Sequence, residues 1–250
     1  MKGILFVIAA LAASTGPVEA QTSANNWGLL YAELDWTTDY KFYGLSESNR
    51  QPTFQGVLHW IAPDNFYAGV FATGVRFNDF RNTSYEIDLY GGRHFYWDTN
   101  DLNLELLWSQ YPNASGHAFY RPGFVFPTYN FFETSAQLDH KIGAATLTGK
   151  LVWSPSGSSH AGELGSVNGG VAYALTSWLT ASGEAGHQWA MHGSNRSYWD
   201  LGATALWQHS AQRFSLDVRY YGTDVSEAHC FHTNWCAPEV VVRIGVGTVL

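Results

Sequence analysis

The feature that most constrains this chain is a strict apolar–polar alternation, repeated along almost its whole length in about twelve segments of roughly ten residues. In the first, Leu30, Ala32, Leu34 and Trp36 share one face, with Tyr31, Glu33, Asp35 and Thr37 opposite. A later segment sets Leu102, Leu104, Leu106 and Trp108 against Asn103, Glu105 and Ser109. Others set Trp199, Leu201, Ala203, Ala205 and Trp207 against Asp200, Gly202, Thr204 and Gln208, and Phe214, Leu216, Val218 and Tyr220 against Ser215, Asp217 and Arg219. The last sets Val240, Val242, Ile244 and Val246 against Val241, Arg243, Gly245 and Gly247. Strand side chains point alternately to opposite faces, so each segment is a one-sided sheet surface. The chain is therefore expected to be all-β, an antiparallel transmembrane barrel of about 12 strands.

Alternation alone does not say which face is inside, because a lipocalin-like soluble barrel alternates too. Composition separates the two cases. Only 14% of residues are charged, 16% are aromatic and 25 are Gly. The polar faces carry Gly, Ser, Thr and scattered acids, not the dense Lys and Glu of a solvated surface. The apolar faces end in rings: Trp36, Trp60, Trp108, Trp153, Trp178, Trp199, Trp207 and Tyr220. Aromatic girdles at strand ends belong to a membrane barrel. The connections agree. Tight turns are expected at Pro63-Asp64-Asn65, Asp98 to Asp101, Asp139-His140-Lys141, Ala174 to Ser177 and His209 to Gln212. Those of the other parity are longer: Asp39 to Pro52, Asn78 to Thr83, Pro112 to Tyr129, Ser154 to Glu163, His187 to Ser197 and Thr223 to Pro238. Short periplasmic turns alternating with longer external loops is the outer-membrane pattern.

The N-terminus has the layout of a secretory signal. Lys2 precedes an apolar run from Ile4 to Ala13, and Val18-Glu19-Ala20 offers small residues for cleavage. The apolar run is too short to span a bilayer, which takes about 20 residues. Residues 1–20 are thus expected to be a signal peptide and 21–250 the barrel domain, in the bacterial outer membrane. In that oxidising setting Cys230 and Cys236 are expected to form a disulfide. His229 and His232 flank Cys230, but the bridge consumes the thiolates a zinc site would need. No metal and no cofactor is expected. The net charge of −8 leaves no basic patch for nucleic acid.

The run Thr38-Asp39-Tyr40-Lys41-Phe42-Tyr43-Gly44-Leu45-Ser46 resembles the opening signature of the TorF-type (Gcw_chp) family of outer-membrane porins. Pro52 with Gln55-Gly56, Phe66-Tyr67-Ala68-Gly69-Val70, Glu86-Ile87-Asp88-Leu89-Tyr90-Gly91-Gly92, Tyr111-Pro112 and Glu133 continue the match in order. Beyond Leu138 only barrel-like patterning remains. The resemblance implies a barrel and an outer-membrane location, and it carries no binding residues over. The Val249-Leu250 end departs from the terminal aromatic of many outer-membrane barrels.

With apolar faces outward, Glu33, Asp35, Glu86, Asp88, Glu105, Glu133, Glu184, Asp200 and Asp217 are expected to face the lumen. The expected inward bases are fewer: Arg76, Lys150, Arg219 and Arg243. Mutual pairing cannot neutralise such a surplus, and a wall of one charge sign selects ions of the other. The reading is a monomeric porin in outer-membrane lipid, passing small polar solutes or ions with cation preference. Two alternatives stand beside it: a non-conducting structural or adhesive barrel acting through its loops, and a lipid-modifying enzyme. The enzyme is disfavoured, since no G-x-S-x-G elbow is present and Ser154 to His160 falls in a Gly/Ser-rich loop without an orienting partner. The sequons at Asn82, Asn113 and Asn195 are chance matches for a bacterial surface protein. Mass spectrometry of the exported protein should give a mature N-terminus at Gln21 and no alkylatable thiol. Two free thiols in the native protein would reject the bridge.

Overall fold

The computed structural model describes residues 28–77, 83–112, 129–157, 162–191, 195–226, 230 and 234–250. Residues 1–20, expected to be a signal peptide, and Asn82, Asn113, Ser158 to His160, His229 and His232 lie outside them. The elements are β1 (Leu29–Thr37), β2 (Lys41–Phe42), β3 (Leu45–Ser46), β4 (Thr53–Ile61), β5 (Phe66–Gly74), β6 (Tyr85–Trp97) and β7 (Asn100–Gln110). They continue with β8 (Phe131–Ile142), β9 (Ala145–Gly157), β10 (Gly162–Ala174), β11 (Leu179–Ala190), β12 (Arg196–His209), β13 (Gln212–Thr223) and β14 (Glu239–Val249). All but β2 and β3 form one closed antiparallel barrel of 12 strands, each paired with its neighbours in sequence. Closure is made by β14 on β1, with Leu34 opposite Val246 and Asp35 opposite Gly245. β2 and β3 form a separate hairpin inside the β1–β4 connection.

The connections alternate as expected, with some boundaries moved. The β8–β9 turn is at Gly143-Ala144, not Asp139 to Lys141, because β8 runs on through Ile142. Ser154 lies within β9 and is fully buried, so the loop expected to start there begins after Gly157. Gly143, at φ +59°, supplies the left-handed residue this two-residue turn demands.

The two faces separate sharply. Leu201 is 66% exposed and Leu106 56%, while Asp35 and Glu86 are each 1% exposed. An exposed apolar face of this extent is foreign to a soluble monomer, and in outer-membrane barrels it is the band that meets hydrocarbon. Rings fringe it at both ends. Trp60, Trp97, Trp178 and Trp207 stand at the short-turn end; Trp108, Trp153, Trp189 and Trp199 stand at the long-loop end. Trp178 and Trp207 stack with centroids 6.0 Å apart.

Inside, large rings sit over glycines of the neighbouring strand. Gly69 faces Tyr90, and Gly92 faces Tyr67. A Cβ on Gly69 would lie 2.3 Å from the Tyr90 ring, and one on Gly92 2.5 Å from the Tyr67 hydroxyl. The missing side chains let both rings lie flat on the wall, a recurrent device in curved sheets.

Arg in place of Leu104 or Leu201, both mid-strand on the apolar face, should destabilise by about 2–4 kcal/mol in urea refolding into lipid. Glu184→Arg, on the lumen side, should cost less. The reverse ranking would mean that the apolar face is not the lipid face.

Candidate functional site in the lumen

The polar face of each strand lines the lumen, and its residues arrive there by parity. Glu33 and Asp35 lie on β1, Glu86 and Asp88 on β6, Glu105 on β7 and Glu133 on β8. Glu184 lies on β11, Asp200 on β12, and Asp217 and Arg219 on β13, with Arg243 on β14 and Lys150 on β9. Except for Glu33, Glu184 and Lys150, which are partly exposed, all of these are buried. Arg76 is the correction. It lies past the end of β5 on the parity of exposed Val70 and Ala72, and it is exposed, while Val75 takes the buried place. Sequence reasoning missed Asp139, Arg196 and Arg213, which also have inward parity. Asp139 and Arg196 sit where a turn and a loop were expected, and Arg213 directly follows an expected turn, so a longer extrapolation of the alternation would have found them.

On β12 and β13 one cluster of charges is paired. Arg219 Nη1 donates to Asp200 Oδ1 at 2.5 Å, Arg219 Nη2 to Asp217 Oδ1 at 3.3 Å and to Ser182 Oγ at 2.9 Å. Thr204 donates its hydroxyl to Asp217 Oδ1 at 2.5 Å. One guanidinium thus serves two carboxylates across three strands, as its forked geometry allows.

The β4–β7 wall is built from rings and carboxylates. His59 stacks on Tyr67 at 5.2 Å, and its Nδ1 lies 3.0 Å from the Tyr90 hydroxyl. Tyr67 shares its hydroxyl proton between Asn103 Oδ1 at 2.9 Å and Glu105 Oε2 at 2.8 Å. Nearer the short-turn end, His94 Nδ1 lies 2.8 Å from Asp101.

The β1–β4 connection, residues 38–52, does not stand outside the barrel. Its hairpin folds into the mouth of the lumen. Tyr40 packs on Phe71 of β5, with centroids 6.0 Å apart, and Phe42 on Phe131 of β8, also at 6.0 Å. The Tyr43 hydroxyl donates to Glu133 Oε2 of β8 at 3.3 Å, and its ring lies 5.3 Å from that of Tyr198 on β12. The Arg196 guanidinium stands 5.9 Å from the Tyr43 ring centre. Tyr43 and Gly44 form the turn with φ 48° and 79°, and a Cβ on Gly44 would meet Gly222 O at 3.1 Å.

The base of the hairpin is held by charge. Lys41 Nζ is 3.0 Å from Asp39 Oδ2 and 2.9 Å from Glu239 Oε1, and Arg50 Nε is 2.7 Å from Glu239 Oε2. Ser46 and Ser48 each donate a hydroxyl to Asp39 Oδ1 at 2.6 Å. The loop containing the Cys230–Cys236 disulfide leans on it, with Ser46 N donating to Trp235 O and Trp235 Nε1 to Asn49 Oδ1. Burial pushes the Glu47 carboxyl up to about 7, against the opposing Arg196 charge, so the packed hairpin favours its neutral form.

A family model described as a bacterial protein of unknown function (Gcw_chp) matches residues 21–244. The chain belongs to that family. The signature Thr38 to Ser46 that resembles it is the inward hairpin itself. No curated protein sequence matches this Gcw_chp chain. Solved structures of similar fold include outer-membrane channels. KdgM porin in complex with disordered oligogalacturonate is 6% identical with TM-score 0.54, covering 88% of this chain and 98% of that one. NanC porin is 10% identical at 0.51, covering 88% and 100%. An outer-membrane channel from Pseudomonas putida F1 is 10% identical at 0.53, covering 92% and 98%. The barrel therefore has the fold of bacterial outer-membrane porins.

Arg219→Leu should strand two buried carboxylates and cost about 3–5 kcal/mol in refolding titrations. Adding Asp200→Asn and Asp217→Asn should recover most of that loss. An unchanged midpoint for the single variant would show that the cluster is hydrated instead of paired.

Proposed function

We propose that the protein is a monomeric outer-membrane channel, surrounded by lipid, that passes small polar solutes or ions and prefers cations. The observation that carries the reading is the uneven charge of the lumen wall. Arg219 is committed to Asp200 and Asp217. Glu33, Asp35, Glu86, Asp88, Asp101, Glu105, Glu133, Asp139 and Glu184 share the inward parity, against Lys141, Lys150, Arg196, Arg213 and Arg243. A surplus of fixed negative charge attracts cations and repels anions, and the bias falls as salt screens it. The porin fold supports conduction in general, and the oligogalacturonate of the KdgM complex is a property of that protein. An acidic wall points this chain away from anionic sugars and toward neutral or cationic solutes.

The acids that would govern selectivity are the partly exposed ones. Glu86 is 1% exposed and Asp88 3%, sealed near Tyr40 and Tyr111, whereas Glu33 and Glu184 retain contact with the open part of the lumen. A second reading, a non-conducting structural barrel, is favoured by one observation: the hairpin that crosses the mouth. An enzymatic reading has no comparable support.

Planar-bilayer recording under a salt gradient separates these readings. The wild-type reversal potential should have the sign of cation preference, and the double variant Glu33→Gln with Glu184→Gln should move it toward anions. Glu86→Gln with Asp88→Asn should move it less. A wild-type barrel that inserts without conducting would favour the structural reading, and conduction unchanged by all four substitutions would remove the cation preference.

A further inference from the structure

We propose that the β2–β3 hairpin is a movable septum, hinged at its ion-paired base, and that Tyr43 at its tip is the residue that closes the lumen. The inference rests on the channel reading for its meaning, but its geometry stands apart from it.

The span of the hairpin is the first argument. It leaves the wall between β1 and β4, which are adjacent in the ring. It reaches Phe131 and Glu133 on β8, nearly opposite, and Tyr198 on β12. A segment that touches these separated walls at one level divides the lumen there. The outer strand ends lie at that level, since Glu133 is near the start of β8 and Tyr198 near the start of β12.

The manner of attachment is the second. Among the described residues no ladder joins the hairpin to the barrel; its own sheet pairs Lys41 with Ser46 and Phe42 with Leu45. The base carries the ion pairs of Asp39, Lys41, Arg50 and Glu239. The tip carries ring contacts and one long hydrogen bond of 3.3 Å from Tyr43 to Glu133. Lifting the tip costs Glu133 one long hydrogen bond from a neutral hydroxyl, whereas opening the base would separate four paired charges. The tip can therefore lift while the base holds.

The test compares wild type, Tyr43→Ala and a variant in which residues 41–50 are replaced by Gly-Gly-Ser, each shown to be folded by heat-modifiable electrophoretic mobility. Planar-bilayer conductance should be low and intermittent in wild type, with longer openings in Tyr43→Ala and a severalfold larger, steady conductance in the shortened variant. A second readout does not need conduction. Ser135→Cys places a thiol on the lumen side of β8, one inward position nearer the short-turn end than Glu133. A membrane-impermeant cationic methanethiosulfonate added to whole cells should label it slowly behind the intact hairpin and rapidly behind the shortened one. Equal conductance and equal labelling in all backgrounds would overturn the septum and leave the channel intact. Faster labelling with no conductance in any variant would support the septum and reject the channel. Equal labelling with no conductance would reject both.

Discussion

Backbone hydrogen bonding is the constraint on which everything else in this molecule depends. A strand buried in hydrocarbon has no water to satisfy its N–H and C=O groups, so a sheet there must close on itself. The register of β14 on β1 accomplishes that closure, and the amide of the C-terminal Leu250 adds a bond to Leu30 O. Once the sheet closes, period-two alternation sends every second side chain into the interior. The acids of β1, β6, β7, β8, β11, β12 and β13 have nowhere else to go. The charge character of the lumen is thus a consequence of closure acting on the sequence.

A closed interior of this size must then be filled or left wet, and this chain does both. On the β4–β7 side, rings flattened over glycines pack against His59, Asn103 and Glu105. On the β8–β11 side, Ser135, Thr148, Lys150, Ser182 and Glu184 remain partly exposed. The hairpin roofs both halves at the outer end. Its position is set by aromatic packing at the tip and by ion pairs at the rim, two interactions with very different tolerance of movement.

The legibility of the fold follows from the range of each interaction. Facing direction is a local property, so the inward placement of Glu33, Asp88, Glu105 or Asp217 could be read from neighbours two positions away. Strand ends are less local. Arg76 was assigned to the wall against the parity of its own strand: counted on from Val70 and Ala72 it falls on the exposed side, past Gly74, where the chain leaves the ladder. Asp139 and Arg196 were passed over because their strands run further than turn-forming residues suggested, and Arg213 because it stands at the very start of β13, next to an expected turn. The signature around Tyr43 was conspicuous in the sequence, but its destination was not. Tyr43 meets Glu133 and Tyr198, partners far along the chain that no periodicity connects. The ion pairs from Lys41 and Arg50 to Glu239 are equally non-local, and depend on the closure that brings β14 beside β1.

The central claim is that the hairpin and the barrel wall form one packed body, and amide hydrogen exchange of the lipid-embedded protein tests it most directly. Ser46 N bonds to Trp235 O at 3.0 Å, Glu47 N to Tyr40 O at 2.8 Å and Arg76 N to Glu47 O at 2.8 Å. These amides should exchange far more slowly than those of a free loop, yet faster than mid-strand amides such as that of Leu104, because the hairpin opens without the barrel unfolding. Exchange of Ser46, Glu47 and Arg76 at free-loop rates would contradict the account, since the lumen would then have no fixed septum at its mouth.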